Sequence, residues 1–145
     1  MNADLRQLAH RLGYAGLAPF VVGCLLIWLV DPREEDPYRF VRFATAAYAA
    51  LVASFLGGIH WGLAFARGLT DRWPLTWGVM ACLLAWLGVL MPPHAGLAWL
   101  GGLLIACYAV DRRAYPRLGA ADWLTLRFRL TLVAALSCFL AAAGS

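Results

Sequence analysis

The sequence predicts an all-α integral membrane protein, a bundle of about five transmembrane helices. Of its 145 residues, 63% are hydrophobic and only 14% are charged, whereas soluble domains have about 45–50% apolar and about 25% charged residues. A soluble chain of this size could not bury so many apolar side chains, because much of a small protein stays at its surface. Nearly all of the charge and most of the prolines separate five apolar segments, which are the predicted spans.

The first two spans are predicted over residues 13–30 and 38–66. The first follows Arg6 and Arg11, as a signal peptide core would, but it is longer than such a core and an acidic loop follows it. We therefore interpret it as an uncleaved span, with a kink or a freed carbonyl expected at Pro19. The second is longer than a hydrocarbon core of about 30 Å requires, so it is expected to tilt or protrude.

Three further spans are predicted over residues 74–90, 95–110 and 124–143. Pro74 suits the first turn of its helix, where a missing N–H costs nothing. The third and fourth spans are short, near the lower limit for crossing a bilayer, and a tight connection at residues 91–94 joins them. The chain contains no internal repeat or linker, so residues 1–145 are expected to form a single transmembrane domain.

The distribution of arginine predicts the orientation of the spans. The chain has no lysine, and with five spans nine arginines fall on the side of the N-terminus and three on the other side. Short cytoplasmic loops carry the excess of positive charge. The N-terminus is therefore expected in the cytoplasm and the C-terminus outside, in a multi-pass protein of the bacterial cytoplasmic (inner) membrane.

Several kinds of chemistry find no support in the sequence. The four cysteines lie inside apolar segments without metal-site spacing, so neither a disulfide framework nor a metal site is predicted. No catalytic motif occurs within the spans, which favours a protein that is not an enzyme, and the cofactor, if there is one, stays unspecified. Nucleic acid is excluded as a partner, because no basic run alternates with polar or aromatic contact residues.

The second span carries a row of small residues. Every fourth position is small, and the row contains a GxxxG motif, which lets two helices approach closely: Ala46, Ala50, Ser54, Gly58, Gly62 and Ala66. The row is either a homodimer seam or a packing surface within the bundle, and we favour packing within the bundle. Ser54, Gly57, Gly58 and Gly62 are the predicted packing positions.

Cysteines and tyrosines aside, His60 is the only ionisable residue well inside a predicted span, roughly 10 Å from the boundary at Arg67. It points away from the Gly58 and Gly62 edge of the helix. An ionisable group inside a membrane suggests function, here a proton relay, a haem ligand or a partner for a quinone-like ligand. The alternative is a neutral imidazole bonded to a neighbouring helix. Trp61, which follows it, is a second candidate contact.

A second polar group is predicted at the inner face, around Asp111 and Arg127. Arg127 can snorkel to the interface, or it can pair with Asp122, Asp111 or Asp71. Its role is either to bind a ligand or to set the topology. No histidine at matching depth accompanies His60, so a haem site built from a histidine pair is not expected.

The motif Ser54–Gly62 (SFLGGIHWG) resembles the domain-of-unknown-function family 3429. Supporting similarities lie at Gly16–Phe20, at Leu84–Trp86, and at Leu126-Arg127 with Leu130-Thr131. The resemblance implies a small multi-span protein of bacterial inner membranes and mitochondria, with no activity to transfer. The positions to test first are therefore Gly57, Gly58, His60, Trp61 and Gly62.

These observations favour a non-catalytic accessory, assembly or scaffold subunit of a membrane complex, for example a respiratory or redox complex. Its expected surroundings are the lipid bilayer and either other membrane subunits or a second copy of the chain. The alternative is a protein that binds or transports a quinone, a lipid or protons through His60.

Overall fold

A computed structural model describes all 145 residues as helices joined by short connections. The helices are α1 (Ala3–Ala15), α2 (Ala18–Leu29), α3 (Glu35–Arg67), α4 (Trp73–Leu90), α5 (Pro93–Leu118) and α6 (Leu124–Ala143), with a single 3-10 turn before α6. Counting α1 and α2 together, five segments are long and apolar enough to cross a membrane, with mean hydropathy between 1.4 and 2.0. The predicted all-α membrane fold is confirmed.

The first predicted span is interrupted at Gly16 and Leu17, where α1 ends and α2 begins. Pro19 lies in the first turn of α2 and does not kink a continuous helix, because a first-turn proline gives up no helical hydrogen bond. Helix α1 has no buried residue. It lies against the start of α6, where Gly13 approaches Leu130.

Helix α3 is the centre of the bundle and packs against α2, α4, α5 and α6. Its buried positions are mostly alanine, so larger side chains from α2 and α5 fill the space around it, among them Phe20, Ile27, Leu97, Leu100 and Leu104. A Cβ added at Gly57 would lie 2.9 Å from both the carbonyl oxygen of Gly78 and the Cβ of Ala81. Small residues therefore set a close approach between α3 and α4.

The GxxxG motif itself does not pack within the chain. Gly58 and Gly62 are exposed, and no other atom lies within 4 Å of a Cβ added at either position. Ser54 is half-buried, whereas Ala46 and Ala50 belong to the core. The row of small residues thus winds from the interior of the bundle to its outer surface. No helix of the chain covers its Gly58–Gly62 part.

The adjacent glycines of α3 provide a matched test of this packing. We expect Gly57→Ala to destabilise the bundle by about 1–3 kcal/mol, because its methyl group meets the backbone of α4. Gly58→Ala meets open space and should leave stability equal or slightly higher, since alanine favours the helix. Thermal unfolding of the two purified variants in one detergent measures the difference. Equal melting temperatures would show that α3 and α4 are not in this contact.

Candidate functional site

Three ionisable side chains from three helices meet inside the bundle. His60 of α3 and Asp111 of α5 are 0% exposed, and Arg127 of α6 is 7% exposed. They lie toward the end of the bundle where α3 and α5 finish and α6 begins. We call this the arginine-rich end, after the residues Arg67, Arg72, Arg112, Arg113 and Arg117.

The carboxylate of Asp111 joins the other two side chains. Its Oδ1 lies 2.7 Å from Nε2 of His60. Its Oδ2 accepts hydrogen bonds from Nε of Arg127 at 2.9 Å and from Nη2 at 2.7 Å. Nη1 of Arg127 donates to Oγ1 of Thr131 at 3.1 Å. The four side chains form one continuous buried network.

The bond to Asp111 identifies the ring nitrogen of His60 that carries a hydrogen. An ionised carboxylate only accepts hydrogen bonds, so Nε2 of His60 is the donor. Nδ1 of the same ring is buried and has no hydrogen-bond partner. With a neutral imidazole the charges of Asp111 and Arg127 cancel, which is the condition for keeping them out of water. Aromatic rings of Trp73 and Tyr115 pack near the imidazole, with centroids at 6.5 and 6.0 Å.

The position of each network residue follows from its helix. His60 shares the buried face of α3 with Ala53, Leu56, Gly57 and Ala64, as the helical spacing predicted. Arg127 and Thr131 are four residues apart on α6 and therefore lie on one face.

Asp111 was expected at the end of a span, because the apolar run stops at Val110. Instead α5 continues to Leu118, and Tyr115 and Leu118 are buried below the network. Asp111 is thus inside a helix rather than at its end. Sequence reasoning did not find it as the partner of His60. The signal was present, because Asp111 borders an apolar segment near the arginine-rich end, the same end as His60 and Arg127.

Among the acidic residues considered for Arg127, the structure selects Asp111. Asp122 instead lies at the surface, 3.7 Å from Arg6, and Asp71 accepts from the backbone N–H of Trp73. Trp61 is not part of the network: its Nε1 donates to the carbonyl oxygen of Leu75 at 2.8 Å, which ties α3 to α4. His10 bonds the carbonyl oxygen of Arg6 on α1, outside the network.

A crevice of about 320 Å³ reaches the network from the side of the bundle. We call it the lateral crevice. It is half-open, and the break between α1 and α2 forms one wall, while α3, α5 and α6 supply the others. Its lining is apolar, from residues such as Leu17, Phe20, Val52, Ile59 and Ala134, except where Tyr48, Arg127 and Thr131 contribute to it. The hydroxyl of Tyr48 is already used, since it donates to the carbonyl oxygen of Gly16 at 2.7 Å.

The fold and this network define a multi-span helical membrane protein with a buried histidine–aspartate–arginine site. Residues 5–143 match the family model described as a protein of unknown function (DUF3429), and the chain belongs to this family. It is 37% identical over 141 residues to Transmembrane protein 69 of Xenopus tropicalis, an alignment that covers 92% of this chain and 53% of that protein. The chain thus spans about half the length of the curated relative it matches. No solved structure matches the chain.

Proposed function

We propose that the protein is a non-catalytic binder of an uncharged, carbonyl-bearing amphiphile of the bilayer, namely a quinone or an ester lipid. The observation that carries this proposal is the lateral crevice, whose largely apolar lining includes the buried side chains of Arg127 and Thr131. Its volume of about 320 Å³ lies within the range of ligand pockets, roughly 300–1,000 Å³.

The polar residues of the lining offer hydrogen-bond donors. An arginine has five N–H groups. Three of those of Arg127 bond Asp111 and Thr131, and the buried hydroxyl of Tyr115 lies beside the same guanidinium, so at most two N–H groups are left for a ligand. Oγ1 of Thr131 accepts from Arg127 and donates to no group of the chain. A ligand that fits these donors presents an acceptor oxygen, as a carbonyl does.

The charge of the network favours a neutral ligand over an anionic one. Asp111 already compensates Arg127 at 2.7 Å, so an entering carboxylate or phosphate would bring an uncompensated negative charge into an apolar site. Burying such a charge costs several kcal/mol. A quinone or ester carbonyl accepts hydrogen bonds from the same donors without that cost.

His60 supports the site from behind rather than touching the ligand. It does not line the lateral crevice, and it bonds the Asp111 oxygen that Arg127 leaves free. We assign it as a positioning residue for Asp111 and, through Asp111, for Arg127. A direct contact between ligand and His60, or between ligand and Trp61, has no support from this geometry.

Thr131→Val tests the proposal, because valine keeps the shape of threonine and removes the hydroxyl. We expect the quinone or ester lipid that co-purifies with the protein in mild detergent to fall about threefold to tenfold, the loss of roughly one hydrogen bond. Solvent extraction followed by quantitative mass spectrometry gives the amount bound per protein.

Thr125→Val is the matched control, since Thr125 is exposed on the same helix and does not line the crevice. It should retain the ligand at the wild-type level. An equal loss in both variants would contradict the proposal, as would a wild-type protein that carries no quinone or lipid in excess over its detergent belt.

A second candidate function is an accessory or assembly subunit of a larger membrane complex, such as a respiratory one. The exposed Gly58–Gly62 face favours it, because small residues on the outside of a central helix suit a close helix contact with another subunit or a second copy. Mass spectrometry of proteins that co-purify with wild type but not with Gly58→Leu tests this role. A monodisperse particle without a partner in several detergents argues against it.

We further propose that the N-terminus is cytoplasmic, that the C-terminus lies outside and that the membrane is a bacterial inner membrane. The concentration of arginine at one end of the bundle supports this orientation. The network would then lie near the cytoplasmic leaflet.

A further inference from the structure

A second crevice, of about 550 Å³, lies at the arginine-rich end. We call it the end crevice. The connection between α3 and α4, the first residues of α4 and the last turns of α5 form it. None of its lining residues lines the lateral crevice. The two crevices are separate sites.

The end crevice carries a net positive charge. Arg113 and Arg117 are one helical turn apart on α5, are exposed, and have no carboxylate within 4.0 Å. The one acidic residue of the lining, Asp71, accepts a hydrogen bond from the backbone N–H of Trp73 at the start of α4 and keeps its negative charge, so two arginines against one aspartate give the lining a net charge of +1. Two arginine side chains are therefore free to bind an anion, and guanidinium groups bind phosphate oxygens in a bidentate manner.

The rest of the lining is apolar. Pro74 and Leu118 are buried, Leu69 and Val110 are half-buried, and Trp73 is 48% exposed. A free phosphate ion would contact the arginines and leave this apolar surface uncovered. A phospholipid would cover both, with its phosphate at the arginines and its glycerol and acyl groups along the apolar side chains.

We propose that the end crevice binds the headgroup of an anionic phospholipid. Basic pockets between transmembrane helices are suited to such headgroups. A zwitterionic phospholipid carries its own cation next to the phosphate, which offsets the attraction to Arg113 and Arg117. The site therefore discriminates between lipids by headgroup charge.

Native mass spectrometry of the full-length protein tests the proposal, with dioleoyl phosphatidylglycerol and dioleoyl phosphatidylcholine titrated in parallel. The wild-type protein should bind phosphatidylglycerol more tightly than phosphatidylcholine. Arg113→Gln with Arg117→Gln should weaken phosphatidylglycerol binding on the order of 30-fold and leave phosphatidylcholine binding unchanged. Each single variant should lose about fivefold, so the test does not depend on the double variant folding.

Arg112→Gln is the matched control, because Arg112 is exposed on the same helix and does not line the end crevice. It should keep the wild-type affinity for phosphatidylglycerol within about twofold. Equal affinity of wild type for the two lipids would overturn the proposal, as would an equal loss in Arg112→Gln. Displacement of phosphatidylglycerol by millimolar inorganic phosphate would also overturn it, since the site would then recognise a free anion.

Discussion

Replacing Asp111 with alanine is expected to destabilise the protein by about 3–5 kcal/mol, the cost of breaking a buried ion pair from one side. The His60 Nε2–H loses its acceptor, the Arg127 guanidinium loses its counter-charge and two of its hydrogen bonds, and both side chains are buried. A marginally stable domain does not tolerate such a loss. The expected readout is a large drop in membrane abundance and in the melting temperature of any protein recovered.

Asp122→Ala is the control for the loss of an acidic side chain. Asp122 is 77% exposed in its side chain, and its contact with Arg6 is at the surface. Exposed pairs of this kind contribute little, so this variant should accumulate like wild type. If Asp111→Ala also accumulates and melts like wild type, the network does not hold α3, α5 and α6 together.

The second large effect is expected at Arg127. Arg127→Met leaves the Asp111 carboxylate buried without its counter-charge, beside His60 and the hydroxyl of Tyr115, and should cost about 3–5 kcal/mol. Adding Asp111→Asn to this variant removes the remaining charge and should restore part of the stability, with a coupling of about 1–3 kcal/mol. The coupling is measured in a double-mutant cycle, by unfolding the wild type, Arg127→Met, Asp111→Asn and the double variant in one detergent.

Arg129→Met serves as the control, because it removes the same charge from the same helix at an exposed position. Because both variants remove one arginine, any effect of the number of arginines on membrane orientation is the same in Arg129→Met and Arg127→Met. Its melting temperature should match that of the wild type. Additive single effects, with no recovery in the double variant, would contradict a direct pairing of Asp111 with Arg127.

Hydropathy was sufficient to predict the membrane fold. The five apolar segments correspond to helices that can span a bilayer, since the bilayer demands long apolar helices whatever the packing. Helix ends were harder to predict. The extension of α5 beyond Val110 depends on burial of Tyr115 and Leu118 against other helices, which no local pattern in α5 reveals.

The site was predicted only in part. Helical spacing predicted the face of α3 on which His60 lies, and Asp111 was among the partners considered for Arg127. The bond between His60 and Asp111 was not predicted, because it depends on α3, α5 and α6 being neighbours at that depth. The same limit applies to Gly57 and Gly58. They are adjacent in sequence, and only the rotation of α3 in the bundle decides which one meets α4.

A crystal structure of the protein grown with decylubiquinone would test the binding proposal most directly. The proposal predicts density in the lateral crevice with a carbonyl oxygen within about 3.2 Å of the Thr131 hydroxyl or the Arg127 guanidinium. Density for an acyl chain alone, with no acceptor oxygen near either side chain, would contradict it. So would a quinone bound elsewhere on the bundle.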